Sequence, residues 1–291
     1  MKILVLGATG YIGAATVARL TQDGHEIVRL VRDASRVAPE LPHRVGDLSD
    51  PESLSAAVTD DIDAVVHIAS PIGDEAADTA AVDALLAPLR GTGRAFVYTS
   101  GVWVLGATDD APVDEETATN PIPLVGYRPL IEQRVLAAAA DGVRATVLRP
   151  GIVYGNGGGI PAMMVGWARE HGTGRYVGAA DTRWPMVHLA DLADLYALAL
   201  GKDAPGGVLH AVALAEVPVA GLAAVADVAA GGTGRAEPWS GEAAAAAFGA
   251  LFAEALGLNQ VVSARRTVAE LGWQPSRPHP FRALLSDVRG S

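Results

Sequence analysis

The chain has 291 residues, 50% of them apolar and 19% charged, enough to bury a large core and too apolar for a disordered polypeptide. A net charge of −11 leaves no basic footprint for nucleic acid or an anionic membrane, which points to a small-molecule substrate. With no cysteine there is no disulfide, thiolate nucleophile or cysteine-bound metal, and no His, Asp and Glu spacing reads as a metal site.

In chain order, Lys2-Ile-Leu-Val-Leu6 is a short aliphatic run ending in glycine, as a buried strand does. Tyr11 to Gln22 has helical composition and closes on the turn signal Asp23-Gly24. Strand-like runs recur at Glu26 to Val31, Ala64 to Ile68, Arg94 to Thr99 and Arg144 to Leu148, with helical stretches between most of them. This alternation predicts an α/β fold, a doubly wound parallel Rossmann sheet over residues 1–155. Residues 156–184 and 214–291 read as a smaller C-terminal substrate-binding part, with 185–213 returning to the first domain. Gly241 to Leu256, rich in alanine, reads as one amphipathic helix. No apolar run reaches the roughly 18 residues of a membrane span, so a soluble, cytoplasmic monomer or homodimer without a leader is expected.

The loop Gly7-Ala-Thr9-Gly10-Tyr11-Ile12-Gly13 lies between the first strand and first helix. There glycines permit a tight turn and let a pyrophosphate approach the free N–H groups of the helix start. This G-x-x-G-x-x-G spacing resembles the extended and atypical short-chain dehydrogenase/reductases, and the likeness continues along most of the chain. Val66-His-Ile-Ala69-Ser70 looks like that family's fourth-strand end beside the cofactor, and Val97-Tyr-Thr-Ser100 like its fifth strand. Arg149-Pro150-Gly-Ile-Val153-Tyr154-Gly155 resembles its sixth-strand exit near the nicotinamide, and Val187 to Leu192 and Leu271 to Pro275 its two C-terminal markers.

The resemblance implies a nicotinamide dinucleotide, with Asp47 and Leu48 at the adenine. The acid that binds the ribose 2′-hydroxyl is missing at the end of the second strand, and Arg32 follows immediately. A guanidinium there pairs with a 2′-phosphate, favouring NADP(H) over NAD(H); the alternative is a solvated turn in which Asp33 binds the ribose one residue late.

The family's tyrosine, lysine and serine do not reappear in register. Lysine occurs only at Lys2 and Lys202, neither near the ligand edge. Counting back from Glu132 places Arg128 at the lysine position and Leu124 at the tyrosine position, and counting back from Gly106 places Gly101 at the serine position. Pro129 implies that a helix starts here, with Arg128 projecting toward the cofactor pocket or pairing with Glu132 four residues on. Arginine donates to ribose hydroxyls and stabilises anionic charge but is no proton donor. Tyr127 is the candidate acid, otherwise a packed aromatic, and Thr99 is a further candidate at the cofactor side. Trp103, Tyr154, Arg183 and Trp184 fall in segments that line the substrate cleft in the resembled family.

Three functions follow: an NADPH-dependent reductase of a bulky small molecule, such as one of a natural-product pathway, with non-standard proton delivery; a non-redox isomerase, cyclase or epimerase retaining the nucleotide; and a catalytically silent dinucleotide sensor.

Overall fold

A computed structural model describes residues 1–69 and 73–289, without the side chains of Arg36, Val288 and Arg289. Its main sheet takes strands β1 (Lys2–Leu6), β2 (Glu26–Val31), β3 (His43–Val45), β4 (Ala64–His67), β5 (Ala95–Thr99) and β6 (Arg144–Pro150). A smaller sheet uses β7 (Ile152–Tyr154); β8 (Gly174–Val177) belongs to a two-stranded pair; and β9 (Arg183–His188) lies beside β7. Strand β10 (Gly207–Ala211) returns to the main sheet, while β11 (Leu214–Pro218) pairs with β9 and β12 (Ala236–Trp239) with β8.

The seven-stranded order is β3-β2-β1-β4-β5-β6-β10, and every pairing in it is parallel. Period-two alternation explains the two cores. Ile3 and Val5 of β1 face one hydrophobic cluster, and Leu4 and Leu6 face the other. Helices α1 (Tyr11–Gln22) and α6 (Leu189–Ala199) cover the first face. Helices α2 (Pro51–Ala57), α3 (Glu75–Leu86) and α4 (Arg128–Ala137) cover the second. Strand order reverses between β1 and β4, the crevice at which ligands bind in such sheets.

The expected return of 185–213 divides: α6 and β10 join the first domain, whereas β9 pairs with β7 and β11 because its inward side chains Trp184 and Met186 belong to the smaller core. That core is completed by α5 (Gly159–His171), α7 (Val219–Ala229), α8 (Gly241–Phe248), α9 (Ala250–Leu256) and α11 (Pro280–Arg289); α10 (Arg265–Leu271) packs on β10. The single helix expected from Gly241 to Leu256 is two, broken at Gly249. Phe248 and Phe252 on either side of the break meet at 6.3 Å, so the bend turns both rings inward. No helix among the described residues is long and apolar enough to cross a membrane.

Candidate active site

The glycine loop divides two cavities. Gly7 and Thr9 line one of about 490 Å³, with Arg32, Asp47, Leu48 and Ala69. Tyr11 and Ile12 line one of about 310 Å³, with Thr99, Ser100, Trp103, Pro150 and Val153. A ligand reaching both must cross the loop at the start of α1. Gly10 caps that helix, its amide bonded to the Gly7 carbonyl at 3.0 Å. A Cβ on Gly13 would lie 1.9 Å from the Gly7 carbonyl oxygen, and one on Gly7, at φ +78°, 2.7 Å from the Ala69 nitrogen. The backbone is thus packed as a dinucleotide requires, helix start against loop and loop against β4, and the residues present fit that group.

At the larger cavity, the carboxylate of Asp33 accepts from the Ser35 amide at 2.9 Å and caps the short turn Ala34–Arg36. Arg32 is exposed on the cavity wall, near enough to Asp47 to help hold that carboxyl below its usual range, after the larger contributions of the Ser49 hydroxyl and amide. Ser70 lies outside the described residues.

The smaller cavity has a mostly apolar wall: Ile12, Val102, Trp103, Pro150, Ile152, Val153 and Ile160. Trp103 stands edge to face with Phe252, ring centres 6.3 Å apart. Two of its hydroxyls are committed. Tyr11 donates to the Gly155 carbonyl at 2.6 Å, and burial pushes its phenol well above the ordinary value. Thr99 shares a 2.5 Å hydrogen bond with the buried Tyr196 hydroxyl, which turns it toward α6.

Helix α4 starts at Arg128 with Pro129 in its first turn, as the proline dictates. Leu124 sits in a short 3₁₀ turn, Pro123–Val125, ahead of α4, since proline fits a turn start. Arg128 is only 6% exposed and lines neither cavity. Its Nη1 donates to the Thr99 carbonyl at 3.2 Å and to the Tyr98 hydroxyl at 3.4 Å, which puts the charge behind the cleft edge instead of in its wall. The Tyr98 hydroxyl in turn donates to Asp78 at 3.0 Å. Glu132 does not pair with Arg128. It receives the guanidinium of Arg149 from β6, with contacts of 2.5 to 3.2 Å and both side chains buried. Tyr127 lines neither cavity; its hydroxyl takes a hydrogen bond from the Gly73 backbone, and burial raises its pKa.

His67 lies edge-on to Tyr98, its ring fully buried and neither nitrogen hydrogen-bonded among the described residues. Burial, aided by the nearby Arg128 charge, lowers its pKa to about 3. An unfolded imidazole titrates near 6.5, so as pH falls below about 6.5 the unfolded chain takes up a proton that the folded one refuses, and stability drops. His67→Phe is expected to remove about 2–3 kcal/mol of the loss between about pH 6.5 and pH 4.5 in urea unfolding. An unchanged acid limb would contradict this neutral burial.

Other expected substrate residues are placed elsewhere. Tyr154 is buried, donates to the Pro278 carbonyl at 2.9 Å and borders a separate cavity of about 200 Å³ with Arg169 and Asp287. Arg183 is held by Asp110 at 2.6 Å and Glu216 at 2.9 Å and borders a polar surface cavity. Trp184 is 2% exposed and belongs to the smaller core. Of that group only Trp103 lines the cleft. Ser100, passed over because Gly101 occupies the serine position, does line it, and the alternation of β5, which turns Thr99 toward α6, was the available signal. No group of three or more His, Cys, Asp or Glu that would hold a metal occurs among the described residues.

Comparison with known proteins agrees with this geometry. The chain is 33% identical over 99% of its length and 99% of the relative's to the uncharacterized protein C2A9.02 of Schizosaccharomyces pombe. It is 30% identical, over 71% of its length and 67% of the relative's, to 2-alkyl-3-oxoalkanoate reductase of Stenotrophomonas maltophilia. The crystal structure of human epimerase family protein SDR39U1 with NADPH superposes with TM-score 0.80 at 25% identity, covering 100% of both chains. Residues 3–214 match the NAD dependent epimerase/dehydratase family, to which, with its glycine loop at the β1–α1 turn and its seven-stranded parallel sheet, this chain belongs.

Proposed function

We propose that this protein is an NADPH-dependent reductase of a bulky, flat, largely apolar molecule bearing a conjugated carbonyl, working without the tyrosine and lysine of its resembled family. The observation that carries the reading is the wall of the 310 Å³ cavity: apolar side chains and an indole, with no carboxylate, lysine or histidine among the lining residues. A sugar nucleotide needs polar partners that this wall lacks, whereas a ring system loses only apolar surface to it. The reductase name of the Stenotrophomonas relative and the NADPH of the human structure support the same reading.

NADPH supplies a hydride when bound. Arg32 would hold its 2′-phosphate, Asp47 and Leu48 would border the adenine, and the start of α1 would carry the pyrophosphate. Trp103, Ile152 and Ile160 hold the substrate ring and exclude water. Arg128, fixed behind the Thr99 carbonyl, keeps a positive potential at the edge where the substrate oxygen gains charge. No described lining residue of the cleft is a ready acid, since the Tyr11 proton is engaged by Gly155, so a substrate whose charge delocalises suits the site and water protonates its carbon afterwards.

Arg32→Ala is expected to weaken NADPH about ten- to hundredfold in titration calorimetry, the loss of one charge-assisted bond, and leave NADH within about twofold. Equal losses for both cofactors would contradict the assignment. The reductase reading is tested by NADPH consumption with enones and 1,4-quinones against simple ketones and UDP-glucose. Turnover confined to the first two is expected; conversion of any substrate without NADPH consumption would replace the reading with the non-redox one.

A further inference from the structure

The cleft of about 310 Å³ has one wall that can give. Its other sides are built on the ends of β5 and β6, on β7 and on the starts of α1 and α5. Trp103 comes from the turn Val102–Leu105, pinned by the Gln260 side-chain amide, which donates to the Val102 carbonyl at 2.9 Å and the Gly106 carbonyl at 2.7 Å. The indole can turn while that backbone stays, and behind it stands Phe252 of α9, ring centres 6.3 Å apart. Both rings are half-buried and pack against the main-sheet core and the smaller core alike, so their contact is a joint between the two. Phe252 leans in turn on Phe248 of α8 at 6.3 Å, and Phe248 on Trp167 and Trp239 at 4.8 and 4.9 Å.

Helices α8 and α9 are held lightly. Ala244 is the buried residue of α8, and the break at Gly249, φ +80°, has open space around it. A groove of about 410 Å³ is lined by Val177 and Trp239 of β8 and β12 and, on the two helices, by Gly241, Ala245, Ala250, Ala253 and Glu254. Such small side chains bury little apolar area, so displacing the helices into that groove costs little. We infer that Phe252 sets how large a ring system the cleft accepts, with α8 and α9 as its yielding wall: a larger substrate turns Trp103 onto Phe252, and the helix pair moves toward the groove. This rests on the reductase reading above, in which the cleft takes the hydride-bearing end of the dinucleotide together with the substrate, although about 300 Å³ is the lower end for a single ligand. With phenylalanine at 252 the cleft favours one- and two-ring substrates; a smaller side chain there lets the indole fall back and admits further rings.

The test uses the whole protein with NADP⁺ and two flat phenols that accept no hydride, 2-naphthol and 1-hydroxypyrene, measured by equilibrium dialysis through their own fluorescence. Phe252→Ala is expected to tighten 1-hydroxypyrene about tenfold, equivalent to roughly 55 Å² of apolar surface newly buried, and to leave 2-naphthol and NADP⁺ within about threefold. Leu251→Ala, at the exposed neighbouring position, is expected to change none of the three. With NADPH, Phe252→Ala is expected to raise kcat/KM for 1,4-anthraquinone relative to 1,4-naphthoquinone about tenfold, through KM rather than kcat. Should the alanine variant unfold, Phe252→Leu repeats both measurements with changes of about threefold in the same direction. Unaltered 1-hydroxypyrene binding would overturn the inference. So would equal tightening in Leu251→Ala, which would assign the effect to general loosening of the helix pair. If the wild-type protein oxidises no NADPH with either quinone, the reductase reading fails by itself, and the dialysis result still decides whether Phe252 limits the cleft.

Discussion

Gly13→Ala is expected to lower NADPH affinity by up to about 100-fold while leaving a folded chain. The added Cβ would sit 1.9 Å from the Gly7 carbonyl oxygen and 2.7 Å from its carbon, both backbone atoms that no rotamer change can move aside. Relief requires the start of α1 to shift away from the loop. The Gly10 cap on the Gly7 carbonyl goes with it, and the amides that would meet the pyrophosphate no longer converge. Overpacking of this kind costs about 1–3 kcal/mol, and spent on the binding geometry the upper end is about a factor of 100. Fluorescence titration of NADPH with a parallel thermal melt checks it. Affinity within about threefold of wild type would mean the loop does not cradle the dinucleotide.

Glu132→Gln is expected to cost about 3–5 kcal/mol of stability, the loss typical of a buried ion pair deprived of one member. Arg149 and Glu132 are both buried, joined through Nε and Nη2, and Arg149 Nη1 has no partner among the described residues. Removing the carboxylate charge strands a guanidinium between α4 and β6 with nothing to replace it. Because Pro150 to Val153 leave β6 directly into the cleft wall, the same variant is expected to loosen that wall and raise KM for any quinone substrate. Urea unfolding gives the stability change; a loss below about 1 kcal/mol would show that water compensates Arg149.

What was legible in the sequence is what neighbours in sequence determine. The run from Lys2 to Leu6, the glycine spacing and the periodicity of Tyr11 to Gln22 place β1, loop and α1 because strand, turn and helix each express a local rule. Pro129 likewise marked the start of α4. Contacts between distant segments were not legible. Glu132 sits one turn from Arg128, which makes their pairing one of the two expectations, yet its partner is Arg149, 17 residues away on the strand that α4 covers. Trp184 reads as a cleft aromatic until β9 pairs with β7 and turns it into the smaller core. Ser100 was hidden for another reason: alignment to a family position named Gly101, and only the pairing of Thr99 with Tyr196 leaves Ser100, among the described residues, as the cleft hydroxyl without a partner.

The central claim is that hydride passes from NADPH to a conjugated carbonyl in the cleft lined by Trp103 and Ser100. It is tested most directly by stopped-flow reaction with NADPH deuterated at nicotinamide C4, followed by mass analysis of the product. The account predicts NADPH oxidation that slows with deuterium and, with an enone, label recovered on its β-carbon. Product formed with the label still on the nicotinamide, or no oxidation with any enone or quinone, would contradict it.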